Sequence, residues 1–107
     1  MPQGPLTEPV LLMLLSLAGQ PRHGYSILKD VEQMSDGRVV LSTGTLYGAL
    51  RRFQVQGWIE RFEEDDGSRD RRAYRLTTAG RRILKFEVER MKHLTRVAGL
   101  RTVSKRA

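Results

Sequence analysis

The sequence has 107 residues, 39% hydrophobic and 29% charged, with two histidines and no cysteine. That is one domain's worth of soluble, globular chain, and it excludes disulfides, thiolate metal sites and any His/Asp/Glu cluster at metal-ligand spacing. The formal net charge of +7 divides into −2 over residues 1–37 and +9 over residues 38–107. With a pI near 10.6 this suits a polyanionic partner as readily as a well-solvated basic surface.

The apolar run Pro9–Gly19 is shorter than the ~20 residues that span a bilayer, and no basic segment or small-residue cleavage site accompanies it. The expectation is a cytoplasmic protein without a membrane partner. The same run predicts a helix with Thr7 as N-cap, Glu8 and Pro9 in its first turn, and Gly19 as its stop after Ala18. Positions 10–15 and 17 are apolar all round it. A chain this small has little core to offer, so one face is expected on that core and the other, with Leu11, Leu12 and Leu15, on a second chain. Residues 1–6 and 101–107 read as loose ends, with Arg101, Lys105 and Arg106 a solvated tail.

A turn through His23 leads into a second helix, Gly24 to Ser35, whose Ile27, Leu28, Val31 and Met34 fall at helical spacing as core. Tyr25 is expected in the core, and His23 as a turn residue bonding backbone rather than a pH switch or ligand. "VVL" (Val39–Leu41) has a short β-like pattern. A third helix starts at a Ser42 or Thr43 cap and stops at Gly57. Residues 58–64 and 72–77 alternate loosely around a polar, Gly-containing loop at 65–71, which predicts a β-hairpin with Trp58 packed at its start. The last helix runs from Thr77 or Thr78 to about Ala98, with Gly99 as terminator. Its stripe of Ile83, Leu84, Phe86, Val88, Met91, Leu94, Val97 and Ala98 is too long for one small domain to cover. Val88, Met91, Leu94, Val97 and Ala98 are therefore expected at a dimer seam. Met91 and His93 lie near that seam, where interface packing is the plainer reading and a small-molecule effector pocket, its ligand unknown, the alternative.

On a wheel at about 100° per residue, Leu46, Ala49, Leu50 and Phe53 of the third helix cluster on one side. Thr43, Gly44, Thr45, Gly48, Arg51 and Arg52 point away, and Tyr47, at the boundary just after Leu46 at the helix start, is expected to face DNA with them. Glycine weakens a helix interior by up to ~1 kcal/mol relative to alanine, so clearance for a bulky groove is one reason to carry two. Hydroxyls and free backbone N–H groups at a helix start suit phosphate oxygens, and arginine suits phosphate or guanine. Thr43 and Thr45 serve equally as caps. The hairpin adds Arg69, Arg71, Arg72 and Arg75 among Asp65, Asp66 and Asp70, acids that limit how much of the loop can lie on DNA. The order helix, helix, helix, hairpin, helix makes a mainly α fold: a winged helix-turn-helix over residues 1–77 and a dimerisation helix with basic tail over 78–107, in one structural unit.

The run "HGYSILKDVEQMSDGRVVLSTGTLYGALRRFQVQGWIE" followed by "RRAYRLTTAGRRIL" resembles the PadR family of bacterial transcriptional regulators. An H-G-Y turn, a G-T-L-Y-x-A-L recognition helix and a Y-R-L-T-x-A-G junction occur in order, and the likeness covers roughly residues 8–90. It implies a winged-helix homodimer that binds inverted-repeat operators in double-stranded DNA, usually as a repressor. No cofactor is expected. This chain departs from many members at Gly48, where they carry proline, and at Gly67–Arg72, where their wing contains proline. A protein–protein adaptor on the same fold is the alternative; it would lack salt-dependent DNA binding. No nucleophile–base pair, phosphate loop or metal set supports an enzyme.

Overall fold

The computed structural model describes residues 4–63 and 72–103. They run α1 (Glu8–Ala18), β1 (Arg22–His23), α2 (Gly24–Met34), α3 (Thr43–Val55), β2 (Ile59–Glu63), β3 (Arg72–Leu76) and α4 (Thr78–Thr102). Three helices open on a hydroxyl that accepts an otherwise unpaired backbone N–H. Thr7 accepts from Val10 (3.4 Å) at α1, Ser42 from Thr45 (3.1 Å) at α3, and Thr77 from Gly80 (3.0 Å) at α4. Between the two candidate caps of α3, Ser42 is the one used.

The strands form one antiparallel sheet in the order β1-β3-β2. Ile59 pairs with Leu76 at one end of the hairpin and Glu63 with Arg72 at the other. The third strand, β1, was not expected. Its two residues, Arg22 and His23, pair with Tyr74 and Ala73, too short a segment to show alternation. The β-like Val39–Leu41 forms no strand, because its polar groups are used locally: Val39 N–H donates to the buried Ser35 hydroxyl (2.9 Å), which itself donates to Val31 C=O (3.0 Å). That serine fixes the link between α2 and α3.

The core draws Met13, Leu14 and Leu17 from α1, Ile27 and Val31 from α2, Leu46, Leu50 and Phe53 from α3, and Trp58, Ile59, Tyr74, Leu76 and Leu84 from the rest. Phe53 and Trp58 stack with centroids 5.7 Å apart. Helix α1 is central. It packs on α2, β3 and α4 of its own chain, so Leu11 and Leu12 are buried within the protomer and only Leu15 of the three seam candidates on α1 is half-exposed. An all-apolar helix here meets its own chain on most sides. Two expected core residues lie outside it: Tyr25 is 67% exposed, on the side of α2 away from the buried Ile27 and Val31, and Met34, the last residue of the helix, is 39% exposed.

The junction of hairpin and last helix is tightly held. Thr77 N–H donates to Trp58 C=O (3.0 Å) and the Thr77 hydroxyl to Gly57 C=O (2.6 Å). Gly57 itself has φ +78°, a left-handed conformation that glycine adopts without a Cβ penalty. A Cβ on Gly80 would sit 2.0 Å from the Trp58 oxygen, so only glycine lets the start of α4 come this close.

Helix α4 passes through Gly99 to Thr102 instead of stopping. One glycine costs a helix about 1 kcal/mol, too little to end it between good helix formers, and the Thr102 hydroxyl donates back to Ala98 C=O (2.6 Å). At 25 residues it is about 37 Å long. The chain measures 62 × 33 × 22 Å with a radius of gyration of 16.3 Å, against about 13 Å for a compact chain of this length. Among the described residues from Glu89 onward, only Arg90 and Val97 are even half-covered. At the other terminus Leu6 packs on the core rather than hanging loose, and its N–H donates to Glu87 (3.4 Å).

Candidate nucleic-acid interface

Helix α3 has two faces that differ in every respect. Leu46, Ala49, Leu50 and Phe53 are buried, while Thr43, Gly44, Thr45, Arg51 and Arg52 are exposed and Gly48 is half-exposed. The Thr45 hydroxyl accepts from that of Ser42 (2.9 Å), so the threonine shares in the cap while remaining on the surface. Gly48, Arg51, Arg52, Val55 and Gln56 line a shallow depression of about 410 Å³ on the outer face. A Cβ placed on Gly44 or Gly48 would meet nothing within 4 Å. Neither glycine is needed for packing within the chain, in contrast to Gly80.

Gly24 is needed, and its reason lies in Tyr47. A Cβ on Gly24 would stand 2.4 Å from the Tyr47 hydroxyl oxygen and 2.8 Å from the ring carbon bearing it. The turn into α2 is thus bare of a side chain where the tyrosine of α3 lies across it. Above the same ring, 5.3 Å from its centroid, stands the Arg72 guanidinium at the loop end of the hairpin ladder. Two motifs singled out separately in the sequence, H-G-Y and G-T-L-Y, are therefore the two sides of one contact, which no spacing rule could have revealed.

The rest of the hairpin contributes less charge than its composition suggests. Arg75 lies across the Phe62 ring (4.4 Å) and pairs with Glu60 (2.8 Å), its partner in register on β2. Arg61 stands 4.0 Å from Glu63. Arg69 and Arg71 lie outside the described residues.

At the opposite side, Leu11, Leu15, Val88, Met91, Lys92, Thr95 and Arg96 line a groove of about 510 Å³ between α1 and α4. Met91 is 41% and Leu94 47% exposed, Val97 is half-buried and Ala98 exposed. His93 does not line this groove. Glu87, missed by sequence reasoning, is 4% exposed in the wall of α4. It accepts from Arg90 (2.5 and 3.1 Å) and from Leu6 N–H. The Arg90 bond holds its carboxyl below the usual range against the opposing effect of burial, and the Arg90 guanidinium is held charged in return. An acid inside an apolar stripe is the one signal that could have found it.

A model of the transcriptional regulator PadR-like family matches residues 11–86. Over 85 residues the chain is 39% identical to an uncharacterized 37.1 kDa protein in transposon TN4556 of Streptomyces fradiae, covering 79% of this chain but only 23% of that longer protein. Its fold is similar to that of a transcriptional regulator from Clostridium thermocellum, at 26% identity and a TM-score of 0.72 over 90% of each chain. It is also similar to Bacillus subtilis PadR in complex with operator DNA, at 19% identity and a TM-score of 0.65 over 74% of this chain and 45% of that one.

Proposed function

Since the chain belongs to the PadR-like family of transcriptional regulators, we propose that it binds a specific operator in double-stranded DNA as a homodimer and represses transcription there, a binding protein and not an enzyme. The observation that carries this reading is the division of α3, apolar and buried on one side, hydroxylated and doubly arginine-bearing on the other. Thr43, Thr45 and the free N–H groups at the start of α3 take phosphate, Arg51 and Arg52 take phosphate or a guanine edge, and Gly44 and Gly48 allow close approach. Arg72, Arg69 and Arg71 reach flanking backbone. Residues 1–77 form the DNA-binding portion and 78–107 the dimerising portion of one unit, and the uncovered stripe on α4 supports that division. A homodimer presents two α3 helices to an inverted repeat, as two-fold symmetry requires. The likeness to Bacillus subtilis PadR, which is seen with operator DNA, agrees with this reading.

The test is to select bound duplexes from a random library and titrate the winner against salt. A dimer neutralising ~6–10 phosphates loses ~10³–10⁵ in affinity between 50 and 200 mM salt, and the selected sequences converge on an inverted repeat. A flat salt dependence would reject DNA binding in favour of a protein–protein adaptor.

A further inference from the structure

We propose that Tyr47 is a positioning residue that supports the loop end of the wing's strands on the recognition helix, presenting the Arg72 guanidinium to the DNA backbone without itself reading DNA. This rests on the DNA-binding function proposed above and assigns the division of labour within that site.

Three elements meet at the Tyr47 ring. It projects from α3, half-buried, and its hydroxyl end lies against the Cα of Gly24, where no side chain could be accommodated. The sheet register brings the third element to the same place. His23 pairs with Ala73, so Arg72 stands across from the point where β1 turns into α2 at Gly24. Its guanidinium lies over the ring at 5.3 Å. Arg72 also ends the ladder, paired with Glu63, the last β2 residue before the hairpin loop. A planar cation over an aromatic face is held in orientation as well as in place, which a lysine ammonium would not be. The ring is thus a platform, with one end seated on α2 and one face under the wing, on the helix that carries Arg51 and Arg52.

The platform role has a signature that neither a purely structural role nor a direct DNA contact by the hydroxyl would produce. Replacing one uncharged side chain with another should change the number of counterions released, because Arg72 loses its phosphate when the platform goes. The probe is a duplex selected by the parent chain from a random library, titrated between 50 and 200 mM salt. Tyr47→Leu is expected to bind about threefold to tenfold more weakly. Its log–log salt slope should be shallower by about 0.9 for each phosphate released. Tyr47→Phe, which keeps the platform, should retain the parent's slope and affinity. In an Arg72→Ala background, adding Tyr47→Leu should leave the slope where Arg72→Ala has put it. A parental slope in Tyr47→Leu, or a Tyr47→Phe loss as large as that of Tyr47→Leu, overturns the proposal.

Amide hydrogen exchange without DNA keeps the two readings separate. Tyr47→Leu should speed exchange at the Glu63–Arg72 end of the ladder and spare the Ile59–Leu76 end. If the parent shows no salt-dependent binding, the DNA reading fails, and unchanged exchange in Tyr47→Leu would reject the platform as well.

Discussion

At Gly80 an added methyl group would stand 2.0 Å from a backbone oxygen that already accepts from Thr77, whereas at Gly48 it would stand in open space. The same substitution should therefore act in opposite directions at the two sites. Gly80→Ala forces the start of α4 away from Trp58 and should cost about 1–3 kcal/mol, read as a lowered melting temperature. Gly48→Ala should raise stability by about 0.5–1 kcal/mol, because alanine is the better helix former. It should also weaken DNA binding, since the space it fills is the proposed approach to the groove; unchanged binding would show that the glycine serves no approach. Glu87 adds a dependence on acid. Its folded pKa is lowered, so the folded chain binds fewer protons than the unfolded one between the two values, and stability rises with pH there. The contribution is complete above the ordinary value of 4.5 and is lost as pH falls through the lower folded value. Glu87→Gln should flatten that part of the pH–stability curve, leaving the gap between variant and parent widest above pH 4.5.

Among the elements, α3 was the most legible. Its cap, its buried face of Leu46, Ala49, Leu50 and Phe53 and its end before Gly57 all follow from local rules, since each depends on residues within four positions. The exposure of Arg51 and Arg52 follows from the same phase. Arg51→Ala and Arg52→Ala should each leave the melting temperature near that of the parent. A lost bidentate base contact would cost about 1–3 kcal/mol of binding and relax one operator position, whereas a lost phosphate contact would weaken all sequences alike. Early melting with normal DNA binding would contradict the exposed phase of this face. What could not be read depends on distant partners. Tyr25 looks like core by type, but it falls on the side of α2 away from the buried Ile27 and Val31, where Lys29 makes a cation–π contact with its ring at 5.7 Å. Strand β1 exists because β3, some fifty residues on, offers it an edge. Gly99 looks like a stop, and the helix continues because the roughly 1 kcal/mol that one glycine costs is too little to end it between Ala98 and Leu100. The candidate site divides the same way: which residues of α3 are exposed was readable, but the seat of Tyr47 on Gly24 and under Arg72 was not.

For the whole molecule the governing fact is a helix longer than the body it belongs to. A 62 Å long dimension goes with a far half of α4 that the described residues leave largely uncovered, and Met91 and Leu94 stay 41% and 47% exposed. The groove between α1 and α4 continues the same surface, with Leu15 and Val88 on its walls. Helix α1, by contrast, is largely used up inside the protomer, so the proposed dimer leans on α4 and on the Leu15 side of α1 alone. Packing this surface on its symmetry mate would bury the stripe and set the two α3 helices about one DNA turn, ~34 Å, apart. Replacing Met91 and Leu94 together with glutamate would place four like charges at the two-fold seam, where an unpaired buried charge is heavily penalised. Neither side chain belongs to the protomer core, so each chain should keep its helical circular dichroism. The double variant should sediment as a monomer at concentrations where the parent is a dimer, and it should lose tight operator binding while retaining weak binding to a half-site. A parent that is monomeric at micromolar concentration, or a double variant whose dimer is as strong as the parent's, would place the seam elsewhere than on α4.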